Sequence, residues 1–394
     1  MAIAVHKKNL YYSIYKLNIM VNKTVWSLSA VCFAMSTLLS LVGLISVIQL
    51  YFHVSIYFAS LYASIFAGTL GISSLVTPAL FSRFEKKRMI LTILVLTAIC
   101  NMAQLFISEY YIALVFRIIP AILYPIAVSS ALTIVGEINP NDTNKVVLGV
   151  SAGSIVGLSV TSYLGLSFGY PAAMLWYCLI DVMAFILVFF FVGEFEGNKE
   201  PVALQIGRAK SKIFLLSIIY VFVLEVGISI TYNYIPTYLD QVTHLDANML
   251  FFTLLLMGLI SMVGTTLFGY LISRSGKKTV LIYPLGFAII MFFVGLFAKL
   301  PFYEFCVLMI FSIFDGSAYT VSQYWITSSI RDAPEFANGI FLFMCNLGIF
   351  IGTMLGGFII GMIDIMYIFY GSIIMMLLAI PFALIRVKSY PDAY

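Results

Sequence analysis

The segment SRFEKK, residues 82–87, has a near copy in SRSGKK, residues 273–278. Both contain Ser-Arg, two variable positions and Lys-Lys, and each joins one long apolar run to the next. The copies lie about half a chain length apart in a chain of 394 residues. A basic turn repeated at this spacing predicts two halves of similar architecture, with the turn at an equivalent position in each.

The composition places the chain in a membrane. Hydrophobic residues make up 62% of it and charged residues 10%, with a mean hydropathy of +1.07, whereas a soluble domain carries about 25% charged residues. Apolar runs of about 20 residues are typical of transmembrane helices. The runs predict twelve spans, at residues 26–50, 55–80, 89–107, 110–135, 145–168, 171–193, 212–236, 248–272, 279–298, 302–328, 336–361 and 364–386.

We therefore predict an all-α membrane protein with twelve transmembrane helices in two six-helix pseudo-repeats. The one long polar connection stands midway between the two sets of spans. The predicted divisions are a cytoplasmic N-terminal segment, a first bundle, a cytoplasmic linker, a second bundle and a cytoplasmic tail, at residues 1–25, 26–193, 194–211, 212–387 and 388–394.

Positive charge predicts the orientation. If the N-terminus is cytoplasmic, all 21 Lys and Arg residues except Arg117 and Lys299 fall in cytoplasmic segments. Cytoplasmic loops of membrane proteins carry such an excess. We expect a multi-pass protein of the plasma membrane with both termini in the cytoplasm.

The residues do not suggest an enzyme. No P-loop, zinc motif or nucleophile elbow is visible, which argues against an ATP-driven pump or a membrane hydrolase. The five cysteines lie in apolar runs and the three histidines are scattered. We expect no metal site, no cofactor and no nucleic-acid partner.

A second repeat supports the two halves. Small residues four apart line one helix face and let a neighbouring backbone approach closely, so we expect these glycines to pack the halves rather than to bind substrate. Repeated halves are typical of secondary transporters, whose site lies between the halves near the midplane. The glycines recur every four residues in span 5 and in its counterpart, span 11: Gly149, Gly153, Gly157, Gly348, Gly352 and Gly356.

Several motifs resemble the major facilitator superfamily. GYLISRSGKK (269–278) resembles its loop signature, and FRIIPAILYP (116–125) its fourth-helix motif, whose arginine is Arg117 here. TPALFSRFEKKRMILTILVLTAICN (77–101) and NLGIFIGTMLGG (346–357) are similar to its drug/proton antiporter branch. Within that branch the sugar-, nucleoside- and arabinose-efflux-like members are the most similar. The resemblance implies alternating access, with spans 1, 4, 7 and 10 lining a central cavity.

Two departures from the family pattern affect this expectation. The aspartate of the loop signature is replaced by Ser82 in one half and Ser273 in the other, so a gating salt bridge through it is missing. In span 5, Ser159 and Thr161 stand where the branch has Pro and Gly. The basic turns have two interpretations, a purely topogenic role and the conformational latch that the resemblance implies. The candidate gating residues are Arg83, Lys87, Arg274 and Lys278.

Four charged residues lie in the interior of the spans, away from their ends: Arg117, Asp181, Glu225 and Asp315. A charge at the bilayer centre costs at least about 2.5–3.5 kcal/mol, so such residues face a wet cavity, pair with each other or have a function. Burial favours a neutral carboxyl group and a nearby arginine favours the charged form. We hypothesise proton coupling through Glu225, Asp315 and Arg117, and the alternative is a static pair of Arg117 with one carboxylate. Asp181, in peripheral span 6, is expected to make a structural contact within the first half.

Helical spacing extends the predicted cavity. Residues four apart share a helix face, which places polar and aromatic side chains beside the carboxylates of spans 7 and 10. Aromatic rings there can stack on a ligand, with ordinary packing as the alternative for each. The candidate substrate-cavity residues are Tyr124, Ser229, Tyr232, Asn233, Tyr319, Gln323 and Trp325.

These patterns favour a secondary active transporter that exports a small organic molecule (drug, sugar or nucleoside-like) against protons. One alternative is a proton-coupled or facilitated importer of a small metabolite. An alternative of another class is a non-transporting membrane sensor on the same scaffold. We expect a monomer that interacts with a small-molecule substrate, protons and the lipid bilayer.

Overall fold

A computed structural model describes residues 21–81, 83–139, 142–197, 212–298, 300–329 and 334–389. In this part of the chain, ten helices are long and apolar enough to cross a membrane. A further helix, Lys86–Ala103, has 18 residues and begins with three cationic ones. The all-helical membrane architecture predicted from the sequence is confirmed.

The longest helix contains two spans. Ala247–Phe297 has 51 residues, which as a straight helix would measure about 76 Å, against a hydrocarbon core of about 30 Å. The backbone leaves helical geometry at Ser275, with φ −158° and ψ 66°. The rings of Phe268 and Tyr283 meet across this bend with centroids 5.5 Å apart. The chain therefore reverses within SRSGKK, and the helices are consistent with twelve spans.

We number these helices α1–α12 in chain order and treat residues 247–274 and 276–297 as α8 and α9. Since successive helices run in opposite directions, the α2–α3 and α8–α9 turns lie at one end of the bundle, here called the basic end. The other end is called the outer end. The bounds of the helices are Val21–Phe52, Ile56–Phe81, Lys86–Ala103, Tyr110–Ile138, Thr143–Phe168, Tyr170–Phe191, Lys212–Gln241, Ala247–Phe297 (α8 and α9), Pro301–Thr327, Pro334–Met362 and Ile368–Ser389.

Two of these helices are interrupted. A 3-10 segment, Leu38–Leu44, lies in the middle of α1. The α-helical part of α7 ends at Tyr232 and resumes at Ile235, where Pro236 occupies the first turn. Proline lacks a backbone N–H and its ring clashes with the carbonyl group four residues earlier, here that of Tyr232, where the first α-helical part ends.

The glycine repeats lie at equivalent helix contacts in the two halves. A Cβ on Gly157 of α5 would lie 3.0 Å from the Cα of Thr37 on α1. A Cβ on Gly348 of α11 would lie 2.6 Å from the Cβ of Glu225 on α7. The pairs α1–α5 and α7–α11 occupy matching positions in the two halves, so the glycines serve the packing role predicted for them.

Two seams join the halves. Helix α2 packs against α11, and α5 packs against α8. In the first seam, a Cβ on Gly71 would lie 3.0 Å from the Cβ of Asn346. In the second, the rings of Tyr163 and Phe251 are 6.1 Å apart. Each seam pairs one helix of each half, so the space between the halves lies between these seams.

Parts of the predicted division lie outside the described residues. These are residues 1–20 of the N-terminal segment, 198–211 of the linker and 390–394 of the tail, together with Ser82 and Lys299. The division into two bundles at the linker remains a prediction.

Candidate transport pathway

The two halves enclose a small cavity of about 110 Å³ between α5, α7, α8 and α10. Asp315 on α10 borders this cavity, and Tyr232 on α7 forms part of its wall. Ser154, Ser261 and Ser312 add hydroxyl groups, and apolar side chains complete the lining. A few polar groups among apolar walls are the usual means of orienting a small organic ligand.

Glu225 lies behind this cavity, inside the second half. It is 2% exposed, and its Oε1 accepts hydrogen bonds from Ser322 of α10 at 3.0 Å and from Cys345 of α11 at 3.5 Å. Asp315 interacts with it electrostatically. Neither carboxylate faces lipid, which is a condition that proton coupling requires; the coupling role itself remains a prediction.

The three candidate cavity residues on α7, here called the polar strip (Ser229, Tyr232 and Asn233), lie in two different environments. Ser229 packs against α11, where a Cβ on Gly352 would lie 2.8 Å from the serine Cβ. Asn233 donates a hydrogen bond to Oγ1 of Thr353, also on α11. Tyr232 alone among the three lines the cavity. The strip spreads over about 100° of the helix circumference, so its two edges contact different neighbours.

The two candidate cavity residues of α10 that follow Asp315 by one and two helical turns, Tyr319 and Gln323, are exposed on the side of the basic end. Tyr319 is 44% exposed, and exposed Gln323 donates from Nε2 to Oδ1 of Asn338 at 3.2 Å. On α4 of the other half, the hydroxyl group of Tyr124 lies 3.2 Å from Oγ of Ser36. Tyr124 and Tyr319 belong to different halves, on α4 and α10.

Trp325 does not line the cavity. It is 0% exposed, and its ring lies 3.8 Å from the guanidinium carbon of Arg386 on α12 and 5.7 Å from the ring of Tyr220 on α7. Arg386 also donates hydrogen bonds to the Trp325 carbonyl and to Oγ of Ser217. The assignment of Trp325 to the substrate cavity is thus corrected, because a stacked cation holds it in the interior of the second half.

Arg117 on α4 is fully buried in the first half. Its Nη2 donates to the carbonyl oxygen of Leu38 in the 3-10 segment of α1, and its guanidinium carbon lies 4.5 Å from the ring centroid of Phe66. Among the described residues it forms no ion pair with Glu225 or Asp315. The static pair considered as an alternative is therefore not formed in this conformation.

Asp181 on α6 has the position expected of a contact within the first half. It is 1% exposed, and its Oδ2 accepts a hydrogen bond from Nδ2 of Asn101 on α3 at 2.9 Å. The sequence did not single out Asn101, although a lone amide in an apolar run was an available signal.

The four predicted gating residues lie at the basic end. Arg83 and Lys278 are exposed, and the backbone N–H of Lys87 is bound by the side chain that caps α3. The guanidinium carbon of Arg274 lies 4.6 Å from the ring centroid of Tyr270 on its own helix. None of the four forms an ion pair with another described residue, so a latch through them remains a prediction.

A neighbouring residue, Lys86, makes a nearly buried ionic contact at this end. Lys86 is 6% exposed and forms an ion pair with Glu137 at the end of α4. Glu85 caps α3 by accepting hydrogen bonds from the backbone N–H groups of Lys87 and Arg88. The signal for this contact was a glutamate two residues beyond predicted span 4, which the structure places in the last turn of α4.

The outer end is closed by a contact across the halves that the sequence did not reveal. In the interruption of α7, the hydroxyl group of Tyr234 donates to Oγ of Ser60 on α2 at 2.6 Å and lies 2.5 Å from the carbonyl oxygen of Thr353 on α11. The adjoining part of α7, Ile235–Gln241, also contacts the 3-10 segment of α1. Pro236 signalled the break in the helix, but no local pattern signals a partner in the other half.

Comparison with known families agrees with this arrangement of paired helices around a central cavity. The sequence model of the Major Facilitator Superfamily matches residues 26–335 and 265–393. The chain belongs to the major facilitator superfamily. It is a multi-pass membrane transporter of small molecules and not an enzyme, and the family resemblance seen in its motifs is confirmed.

The curated relatives of this major facilitator protein are distant. A probable sugar efflux transporter of Helicobacter pylori (strain P12) is 24% identical over 358 residues, which cover 87% of this chain and 89% of that protein. The uncharacterized MFS-type transporter YbcL of Bacillus subtilis (strain 168) is 24% identical over 225 residues, which cover 56% of this chain. That match spans 58% of the length of YbcL.

Solved structures share the fold. A mutant of the nucleoside transporter NupG gives a TM-score of 0.69 at 16% identity, covering 94% of this chain and all of that one. A bacterial homologue of the human lysosomal transporter Spinster, in an inward-facing and unoccupied conformation, gives 0.73 at 14% identity, covering 95% of this chain and 98% of that one. At these identities the similarity concerns the fold alone.

Proposed function

We propose that this transporter exports a small organic molecule in exchange for protons, by alternating access across the plasma membrane, as a monomer with both termini in the cytoplasm. The observation that carries the proposal is Asp315 at the wall of the cavity between the halves, with Glu225 buried behind it. The names of the sugar-efflux relatives support a sugar-like substrate and the export direction.

The position of Asp315 explains how exchange would work. An ionised carboxylate is a strong hydrogen-bond acceptor, so it can bind the O–H or N–H groups of a substrate in the cavity. A proton on the same carboxylate removes that charge. Substrate and proton therefore compete for one site, and each favours release of the other, which is the requirement for antiport.

Glu225 lets the carboxylates act as a coupled pair. It lies within electrostatic range of Asp315, and two like charges in a poorly solvated space disfavour each other. Ser322 of α10 and Cys345 of α11 donate hydrogen bonds to it. A change in the charge of Glu225 would therefore alter its contacts with both helices. We assign Asp315 to substrate exchange and Glu225 to storage of the proton.

The conformation fits one stage of the cycle. The outer end is closed through Tyr234 and Ser60, while Tyr319 and Gln323 are exposed toward the basic end. With the basic end in the cytoplasm, as its positive charge indicates, this stage would accept a substrate from inside the cell. A potential of 100 mV supplies about 2.3 kcal/mol per charge, which is about 40-fold in concentration for one proton per cycle.

The test begins with a thermal-shift screen of purified protein against sugars, nucleosides, amino acids and cationic dyes, since binding raises the melting temperature by mass action. The compound with the largest shift is then used in proteoliposomes with an imposed pH gradient. Glu225→Gln and Asp315→Asn should each reduce gradient-driven transport. Glu109→Gln, at the exposed start of α4, is the matched control and should leave it unchanged.

Two outcomes separate the possibilities. Unchanged pH dependence in both single variants and in the double variant would remove these carboxylates from the mechanism. Proton movement induced by substrate has opposite signs for export by antiport and uptake by symport, so its direction distinguishes the exporter from the importer.

A further inference from the structure

A buried carboxyl–amide pair in the first half leaves two oxygens without partners. Asp181 accepts from Nδ2 of Asn101 through Oδ2, while Oδ1 of Asp181 and Oδ1 of Asn101 have no hydrogen-bond partner. The adjacent hydroxyl group of Thr97 donates to the carbonyl oxygen of Leu94 at 3.1 Å. Each unsatisfied buried acceptor costs about 1–3 kcal/mol, so an ionised carboxylate is poorly supported here.

A single proton would satisfy both oxygens. An ionised aspartate only accepts hydrogen bonds, whereas a protonated one carries an O–H donor. With the proton on Oδ1 of Asp181, that O–H donates to Oδ1 of Asn101 while Nδ2 of Asn101 donates to Oδ2. We propose that Asp181 and Asn101 form a second proton-binding site in this transporter, occupied in the conformation described.

The surroundings of this site contain one permanent charge. In the described residues the titratable or charged groups around Asp181 are Arg117 of α4, Cys100 of α3 and Cys178 of α6. Thiols are weak donors and do not replace the missing hydrogen bond. Arg117 is thus the cation that can support the ionised form of Asp181, beside the neutral donors Asn101 and Thr97.

Arg117 has the donors that an ionised Asp181 would need. Its Nε and Nη1 have no hydrogen-bond partner, although the side chain is 0% exposed. The guanidinium carbon lies 5.8 Å from the ring of Tyr177, which stands four residues before Asp181 and therefore on the same face of α6. Loss of the proton from Asp181 would leave a carboxylate one helical turn from the ring beside Arg117, whose Nε and Nη1 carry N–H groups without an acceptor.

This arrangement gives the proton site a way to act. When the proton leaves Oδ1 of Asp181, an N–H of Arg117 takes its place as the donor to that oxygen. The guanidinium then moves away from the carbonyl oxygen of Leu38 and releases the 3-10 segment of α1. The inference rests on the proton coupling proposed above and adds a site in the first half to Glu225 and Asp315 in the second.

Infrared spectroscopy tests the proton without a substrate. The Asp181→Asn variant should still fold, because the amides of Asn101 and the new asparagine can form the same pair of reciprocal hydrogen bonds. The spectrum of the wild-type protein minus that of Asp181→Asn should contain the carbonyl band of one protonated carboxyl group at neutral pH. The same subtraction with Glu109→Gln, an exposed carboxylate, should lack this band. A wild-type minus Asp181→Asn spectrum without it overturns the inference.

A second variant tests the exchange with Arg117. Raising the pH should abolish the band in the wild-type protein, and in Arg117→Gln the band should persist to higher pH, because the cation that supports the carboxylate is gone. Loss of the band at the same pH in both proteins would overturn the exchange. These readouts need no transport, so absence of proton coupling in the wild-type protein would defeat the proposed function and leave the proton site standing.

Discussion

Replacing Tyr234 by Phe should shift the transporter toward conformations that are open at the outer end. The hydroxyl group of Tyr234 in the second half lies 2.6 Å from Oγ of Ser60 in the first half, so this contact has to break before the outer end can open. The side chain is 0% exposed, and Phe keeps its ring while removing only the oxygen. The two former partners remain part of their own helices after the substitution. Ser60 still donates a hydrogen bond to the Ile56 carbonyl oxygen at 2.6 Å.

The size of the shift follows from one hydrogen bond. A buried neutral hydrogen bond contributes about 0.5–1.5 kcal/mol net, and its loss from the closed state alone multiplies the open-to-closed ratio by about 2–13. An open state populated at about 5%, within the usual range for a minor conformer, would rise to about 10–40%. Ser60→Ala removes the same contact from the other side and should produce a shift of similar size.

Distances between two spin labels measure this population. Phe106 and Met249 are exposed near the outer end, one in each half, and Phe106→Cys with Met249→Cys supplies the attachment points. Cys306 is the one exposed native cysteine in the described residues, so the labelled background also carries Cys306→Ser. Opening should increase the fraction of long distances in Tyr234→Phe relative to the parent.

The control loses an equivalent bond within one half. The hydroxyl group of Tyr220 on α7 donates to the Val280 carbonyl at 2.9 Å, and both residues belong to the second half. Tyr220→Phe should lower thermal stability without changing the distance distribution. If Tyr234→Phe and Ser60→Ala gave the parent distribution, or if their effects added fully in the double variant instead of overlapping, the contact would not hold the outer end closed.

Three further predictions concern packing and surface charge. Gly352→Leu should lower the melting temperature and reduce transport, because its Cβ would lie 2.5 Å from a backbone carbonyl of α7 and overpacking costs about 1–3 kcal/mol; an unchanged melting temperature would contradict this. Glu137→Gln should speed proteolysis at the α2–α3 turn, because it leaves the nearly buried Lys86 unpaired, and equal cleavage rates would argue against that role. The hydrogen bond from Lys145 holds the pKa of Asp142 below its usual value. Ionised Asp142 therefore stabilises the folded state at neutral pH, and this contribution disappears as the pH falls through the lowered pKa. Asp142→Asn should lower the melting temperature at neutral pH and not in strong acid.

Much of the fold was predictable because it depends on hydrophobic length and on repetition. Apolar runs, the two basic turns and the two glycine repeats indicated two halves of six helices, and the structure agrees in its helices and in the contacts of Gly157 and Gly348. The predicted helix ends were less accurate, because several helices continue through polar residues beyond the apolar runs that defined the spans. The second basic turn shows this best: the chain reverses there while only Ser275 leaves helical geometry.

Side-chain positions could be predicted where they depend on helical spacing alone, and could not be predicted where they depend on contacts between distant segments. Asp315, Tyr319 and Gln323 were placed on one face by their spacing; Asp315 borders the cavity, while Tyr319 and Gln323 are exposed and contact α11. Trp325 follows Gln323 by two positions, which is about 200° around the helix, so its burial on another side was foreseeable from the same geometry. The contact of Tyr234 with Ser60 was not foreseeable, because it joins residues of different halves at a helix break.

The buried ionisable groups of the two proposed proton sites lie in separate halves. In the first half, Arg117 bonds to α1 and Asp181 to α3. In the second half, Glu225 accepts hydrogen bonds from α10 and α11, and Asp315 borders the cavity. Rocking of rigid halves would leave the contacts of Arg117 and Asp181 intact, so a proton on Asp181 affects the cycle only through a segment that touches the other half. The 3-10 segment of α1 meets this condition, since it receives the hydrogen bond of Arg117 and contacts the outer part of α7. Contact alone does not establish coupling, which requires an element with two discrete arrangements biased by both sites; the exchange of Arg117 between Leu38 and Asp181 would supply that element.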